Sequence, residues 1–348
     1  MIRIMDRLIG GEQPVFIVAE LSANHLQKFD LAIKMIKVAK EVGVDAIKLQ
    51  TYTPDTMTID CNNECFQIKQ GTLWDGRTFY GLYREAYTPW EWQPKLKRIA
   101  ENAGLIFFST PFDKTAVDFL EKINVPAYKI ASYEITDIPL IEHIASKGKP
   151  IIISTGVATL CDIEEAVSTC KRKGNDQIAL LKCTTVYPTP LEEVNLKTIP
   201  HLAETFKTIA GLSDHTLSIS IPLAAVALGA KIIEKHFILD RKLGGPDAPF
   251  SLEPEEFESM VKSVREAEKA MGEVKYELTE KVRKNREFVR SLFVVENVKR
   301  GETFTEQNVR SIRPGFGLHP RHLKEILGKK AKKNIRRGTP LNWELIDE

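Results

Sequence analysis

The chain predicts an α/β fold, a (β/α)8 TIM barrel followed by a small C-terminal β-rich domain, and three features of its 348 residues carry that expectation. Strand-like and helix-like segments alternate regularly through residues 1–271, with eight short strand-like runs. Most of these runs are apolar on both faces, as strands of a parallel sheet must be when helices cover one side and a barrel interior the other. Their C-terminal ends carry polar and ionisable residues, at the face where such barrels keep their active sites.

The first run, 15–22 (VFIVAELS), is followed by a helical pattern over 30–42 and by 46–52 (AIKLQTY). A helix over 90–102 precedes 106–112 (IFFSTPF), and one over 114–122 precedes 127–134 (AYKIASYE). Then come a helix over 139–146, the strand 150–155, a helix over 163–171 and 178–185 (IALLKCTT). The strand 208–215, a small-residue helix through 224–228, the strand 232–239 (IIEKHFIL) and a long helix over 254–271 complete the barrel domain. Eight such repeats with right-handed crossovers close a barrel of this length. Residues 53–88 hold an aromatic-rich stretch (GTLWDGRTFYGLYREAYTPWEW begins within it) that is too long for a mere connection and follows the second strand, where substrate loops belong. Residues 272–289 read as a charged linker, and 290–348 as a turn-rich β domain with a basic cluster at 329–333 that reads as solvated surface.

Composition excludes several classes of function. Lys and Arg number 49 against 47 Asp and Glu, a formal net charge of +2 without long runs of one sign, so nothing calls for nucleic acid or a membrane surface. No apolar stretch reaches the roughly 20 residues of a membrane span, and the first residues lack a signal-peptide core, which leads us to expect a cytoplasmic protein. Five cysteines, Cys61, Cys65, Cys161, Cys170 and Cys183, do not form a disulfide framework in so long a chain.

The period of a strand then says which side chains share a face. Near the strand ends it pairs Glu20 with Ser22, Lys48 with Gln50, Thr110 with Phe112, Ser132 with Glu134, Lys182 with Thr184, Ser213 with His215, and Glu234 with His236, with Ser154 alone. Such a ring would be costly to desolvate without a ligand. His215 and His236 close consecutive strands and can share one divalent ion, unless each is a core histidine with its own hydrogen-bond partner. With a cation, Lys48 and Lys129 make a site for a highly anionic small molecule, and the hydroxyls of Thr110, Ser132, Ser154 and Ser213 suit phosphate oxygens. Glu20, Glu134, Glu234 and Asp247 remain to orient hydroxyls or move protons. There is no phosphate-binding glycine motif, so a nucleotide is not indicated.

These residues stand in motifs that resemble the sialic acid synthase family along essentially the whole chain: AELSANH, IKLQTY, FFSTPFD, YKIAS-x-E, IIISTG, GLSDHT, EKHF with GGPDAPFS, and GETFTEQNVRSIRPGFG, which is similar to the family's antifreeze-like (SAF) domain. The aromatic run and the ANHLQ opening are most similar to the branch of that family whose product is pseudaminic acid; the N-acetylneuraminate branch typically has Asn-Gly where Leu26-Gln27 stand. The resemblance implies condensation of phosphoenolpyruvate with an open-chain amino-sugar aldehyde, giving a nine-carbon 2-keto acid and phosphate by C–O cleavage. It implies that His215 and His236 bind Mn²⁺ or Mg²⁺, and that Lys48, Thr110, Lys129, Ser132, Ser154, Thr184 and Ser213 hold phosphoenolpyruvate. It assigns Glu20, Gln50, Trp74, Tyr187, Asp247 and Arg313 to the sugar, with Arg313 reaching in from the partner of a domain-swapped homodimer. Glu20, Lys129, Glu134 and Glu234 are the implied catalytic groups. Rival readings stay open: an N-acetylneuraminate or legionaminic acid synthase within the same family, a Schiff-base aldolase built on Lys182, and a non-catalytic sugar-binding protein.

Overall fold

In the computed structural model, which describes residues 1–347, the chain divides into two compact units, 1–272 and 273–348. Unit 1 is a closed barrel of eight parallel strands: β1 (Phe16–Glu20), β2 (Ala46–Thr51), β3 (Ile106–Pro111), β4 (Tyr128–Ile130), β5 (Ile151–Ser154), β6 (Ile178–Cys183), β7 (Ile209–Asp214) and β8 (Ile232–His236), with β8 pairing β1. Eight helices alternate with them: α1 (Phe29–Glu41), α2 (Gln93–Asn102), α3 (Lys114–Lys122), α4 (Ile138–Ala145), α5 (Leu160–Arg172), α6 (Thr198–Phe206), α7 (Ser220–Ala227) and α8 (Pro254–Met271). Sequence reading passed over α6. Its segment, TIPHLAETF, carries a proline in its first turn, yet Ile199, Leu202 and Phe206 fall at helical spacing and are buried.

Local chemistry starts several of these helices. Asp113 caps α3 by accepting from the Thr115 and Ala116 amides, and Thr159 with Asp162 forms a reciprocal capping box on α5. The barrel then has two apolar layers. Outward strand residues such as Ile17, Ile47, Phe107 and Leu180 pack on the helices. Inward residues Phe16, Val18, Ala46, Phe108, Ile152, Ala179, Leu181 and Ile232 fill the N-terminal half of the interior. A short antiparallel hairpin unforeseen from sequence, Ile2–Ile4 with Arg7–Ile9, adds Ile2, Ile4 and Ile9 to that inner cluster and so plugs one mouth of the barrel. With one end sealed by apolar packing, the polar side chains collect at the other.

The long β2 to α2 connection contains a short helix, Pro54–Met57, and an insertion helix, Phe79–Ala86. In unit 2, the strands Ser291–Val294 and Val309–Ile312 pair antiparallel, and Leu292, Val294, Val298, Phe304, Val309, Ile326, Ile335 and Leu341 form a separate small core. The segment 272–289 includes a short helix, Glu280–Lys284. No helix among the described residues is long and apolar enough to cross a membrane.

Candidate active site

Register brings three charges together where the interior turns polar. Glu20 pairs with Lys48 across β1 and β2, and with His236 across β1 and β8. Lys48 Nζ lies 2.6 Å from Glu20 Oε2 and 3.4 Å from Glu234 Oε1, and donates to Thr110 Oγ1 at 3.2 Å. All four side chains are buried. Burial pushes the Glu20 carboxyl up to about 7 against the pull of Lys48. Glu234 is equally buried, but Lys48 and Lys129 hold it below the ordinary carboxylate value. Two carboxylates on one ammonium cannot ionise independently, so near neutral pH this trio holds a proton that it can release or take up.

Beside it, Lys129 Nζ donates to Ser154 Oγ at 2.7 Å, and Ser213 Oγ donates to Glu234 at 3.4 Å. Ser132 Oγ accepts the Gly156 amide at 3.1 Å. Only glycine fits at 156: an added Cβ would stand 2.0 Å from Thr185 Oγ1 and 2.7 Å from Ser132 Oγ. Two ammonium groups and the hydroxyls of Thr110, Ser132, Ser154 and Ser213 thus line one side of the site, a donor set suited to phosphate and carboxylate oxygens.

The ring centroids of His215 and His236 are 5.4 Å apart. His215 Nδ1 lies 3.0 Å from the Thr184 carbonyl, and an Nδ1–H donated there leaves Nε2 with its lone pair free. His236 Nδ1 is buried, has no hydrogen-bond partner among the described residues, and stands 3.9 Å from Asp247 Oδ2. Burial, reinforced by the neighbouring His215, holds His236 well below the usual imidazole value, so it is neutral at pH 7. A neutral, unpartnered buried imidazole beside a second one fits a divalent ion. Among the described residues no group of three or more His, Cys, Asp or Glu side chains surrounds them, so two imidazoles would be the protein's share and the remaining positions would stay open.

The opposite wall is built from a relay and an aromatic cluster. Gln50 Nε2 donates to Glu20 Oε1 at 3.2 Å and to Ser22 Oγ at 2.9 Å, and Ser22 in turn donates to Asp247. Trp74 Nε1 donates to the Pro246 carbonyl at 3.0 Å, which ties the aromatic insertion to the loop carrying Asp247. Its ring stands 5.3 Å from Tyr187, which lies 4.5 Å from His215, and Phe250 sits 4.9 Å from both Tyr187 and His236. Tyr83 of the insertion helix packs on Tyr52 at 5.7 Å and on Phe79 at 6.2 Å. The β1 to α1 loop anchors this insertion: His25 Nε2 meets Thr88 Oγ1 at 2.8 Å, and Gln27 Nε2 donates to the Arg84 carbonyl at 2.8 Å. Leu26 and Gln27 adopt φ of 49° and 51°, a left-handed backbone disfavoured for non-glycine residues. The strain is held by those contacts.

Glu134 follows β4 in the turn Ser132–Thr136. Its Oε2 is buried without a partner among the described residues, and burial pushes the carboxyl up to about 7. The fold therefore favours the protonated acid. The stability this contributes is present below the ordinary value of 4.5 and is lost as pH rises through about 7. Glu134→Gln should accordingly gain stability relative to the parent at pH 8 but not at pH 4, by on the order of 2 kcal/mol in urea unfolding. Equal differences at both pH values would rule out a buried, unpaired acid.

One pair of side chains is corrected by the structure. Lys182 and Thr184 do not face the ring. Leu181 belongs to the inner cluster and Leu180 to the outer one, so the odd-numbered residues of β6 point inward. Lys182 Nζ donates to Thr184 Oγ1 at 2.9 Å and to its neighbour's carbonyl, and the Thr184 hydroxyl donates to the Glu193 carbonyl at 3.1 Å. This removes the Schiff-base lysine from the site and leaves Thr184 only its carbonyl, on His215. Sequence reading missed Cys183, which pairs with inward-facing Ser213 and places Sγ 3.8 Å from His215 Nδ1. Although burial opposes it, His215 in its protonated state draws this thiol down to about 7. With apolar residues on both faces of β6 no alternation was available, and only the neighbouring strand's register could have revealed the inward side. Arg313 is exposed in unit 2, directly after the strand Val309–Ile312.

Fold and site together define a (β/α)8-barrel protein whose catalytic face is built for an anionic substrate beside two metal-competent histidines, followed by a small β domain. The chain belongs to the NeuB family, whose model matches residues 35–276, and residues 289–347 match the SAF domain. It is 49% identical to the pseudaminic acid synthase of Campylobacter jejuni, covering 95% of this chain and 96% of that one, and 46% identical to the pseudaminic acid synthase of Helicobacter pylori over 96% and 98%. Among solved structures it is similar to the N-acetylneuraminic acid synthetase of Leptospira borgpetersenii in complex with citrate, with TM-score 0.73, 34% identity and coverage of 82% and 94%.

Proposed function

We propose that this enzyme condenses phosphoenolpyruvate with 2,4-diacetamido-2,4,6-trideoxy-L-altrose to give pseudaminic acid and phosphate. What carries the reading is the buried Lys48, Glu20 and Glu234 trio directly beside two imidazoles, in a chain that shares nearly its full length and close to half its residues with proteins named for that product.

Lys48 and Lys129, with the hydroxyls of Thr110, Ser132, Ser154 and Ser213, bind the phosphate and carboxylate of phosphoenolpyruvate and hold C3 toward the aldehyde carbon. Gln50, Asp247, Trp74 and Tyr187 orient the sugar. A divalent ion on His215 and His236, Mn²⁺ or Mg²⁺, would supply Lewis-acid polarisation of the aldehyde oxygen. A bond forms between C3 and the aldehyde carbon as the C2=C3 π bond breaks and that oxygen takes up the proton held by the Glu20, Lys48 and Glu234 trio, and positive charge develops at C2. Glu20 and Glu234 stabilise it. Water adds to C2 and loses a proton to Glu134, a role supported by its carboxyl value near 7. The bond between C2 and the phosphate ester oxygen then breaks as the new C2 hydroxyl passes its proton to the departing phosphate, leaving the 2-keto acid and inorganic phosphate. The reaction takes place in the cytoplasm.

Release of phosphate from phosphoenolpyruvate, measured with Mn²⁺ and a panel of amino-sugar aldehydes, tests this reading. The 6-deoxy diacetamido sugar should be preferred over N-acetylmannosamine, because its methyl and second acetamido groups offer apolar area to Trp74 and the Phe79–Ala86 helix, each CH₂-sized group worth about 0.8 kcal/mol. A higher kcat/KM with N-acetylmannosamine would overturn it. Arg313 serves the partner's site in a domain-swapped homodimer. In the same assay, Arg313→Ala and His236→Ala subunits should regain activity on mixing, and none should appear if the arginine serves its own barrel.

A further inference from the structure

Behind the two histidines lies a buried ion pair with no part in the chemistry above. Asp214 and Lys235 are direct register partners on β7 and β8, and each immediately precedes one of the histidines. By the period of a strand their side chains leave the face opposite to that of His215 and His236. They meet at 2.5 Å, with Lys235 at 0% exposure and Asp214 at 3%. The network continues past the strand end. The Asp214 carboxylate accepts the Thr216 amide at 2.9 Å and the Thr216 hydroxyl at 3.1 Å, while Lys235 Nζ donates to the Thr216 carbonyl at 2.6 Å.

The register pairs of β7 with β8 end at Asp214, so the sheet ladder itself does not fix His215. The network does. Residues on both sides of His215 are tied to the residue that precedes His236. Stability is a poor account of such a pair, since a buried ion pair can often be replaced by neutral side chains of similar volume at no cost. Position is the better one: ligands must be held within about 0.5 Å of their working geometry, and groups behind them supply that precision.

We propose that Asp214, Lys235 and Thr216 form a positioning clamp that sets the separation and orientation of His215 and His236. The clamp touches neither substrate nor metal, and it acts through the backbone that carries the two imidazoles. It rests on reading these histidines as the metal-binding pair.

The test is Mn²⁺ binding alone, followed by electron paramagnetic resonance of free Mn²⁺ in titrations of the full chain, alongside thermal melting. The variants are Lys235→Met with Asp214→Asn, and Asp214→Asn alone. The double variant should melt close to the parent while its Kd for Mn²⁺ rises about 10- to 100-fold, with a smaller rise for the single variant. An unchanged Kd, whether the melting point holds or falls, would overturn the clamp. If the double variant does not fold, the single variant decides by the same two readings. Failure of the parent chain to bind Mn²⁺ would instead overturn the two-histidine reading, and the clamp with it.

Discussion

His215→Ala and His236→Ala should each lower kcat/KM by on the order of 10³-fold, the rate equivalent of the several kcal/mol that Lewis-acid polarisation of a carbonyl contributes. Each variant should stay folded. His236 Nδ1 has no internal partner among the described residues, so removing the ring breaks no hydrogen bond of that nitrogen, and Phe250 and Tyr187 still pack the wall. His215→Ala removes the ring's contacts with Cys183 Sγ and with the Thr184 carbonyl, which still accepts from Thr189 Oγ1. The decisive pairing is Mn²⁺ affinity with thermal melting: loss of the first with little change in the second. Full activity of the dialysed parent enzyme in excess EDTA would show that the two imidazoles serve another purpose.

Lys48→Met should be the most damaging single change to the fold. The ammonium is the contact that Glu20 and Glu234 share at 2.6 and 3.4 Å, where both carboxylates are buried. Removing one partner of a buried charge network leaves uncompensated charge and costs about 3–5 kcal/mol. The loss should be pH-dependent, with a definite sign. Without Lys48 the Glu20 value rises further above its ordinary one, so folding favours the protonated acid, and stability falls as pH rises through neutrality. Urea unfolding at pH 5.5 and pH 8 reads this directly, with the larger deficit at pH 8. Adding Glu20→Gln should recover much of it, and a deficit independent of pH or of that second change would exclude the shared-charge account. Turnover should remain lost in both variants, because Lys48 is also proposed to bind phosphoenolpyruvate.

Much of this protein was legible in one dimension. All eight barrel strands were placed to within a few residues, because runs such as IFFSTPF and IALLKCTT are short, apolar on both faces and separated by helical spacing. The site was legible for a related reason. Apolar interiors do not tolerate Glu20, Lys48, Lys129, Glu234 and two histidines at strand ends unless something is bound there, so composition at those positions already marked the catalytic face. The N-terminal hairpin escaped notice because three-residue strands such as Ile2–Ile4 carry too little pattern to distinguish from loop.

What sequence by itself determined was the list of strands, the polar ring and the motifs of the NeuB and SAF families, since each depends on the period of a single segment or on residues close in the chain. Tertiary structure alone decided facing and pairing. Whether Cys183 or Lys182 looks inward follows from the register of β6 against β7, and the strained Leu26 and Gln27 backbone gains its meaning only when the aromatic insertion folds back onto it. The link between Asp214 and Lys235 likewise joins residues 21 apart that meet because β7 and β8 lie side by side. Contacts across the barrel depend on closure of all eight strands, a cooperative property that no local run of residues contains.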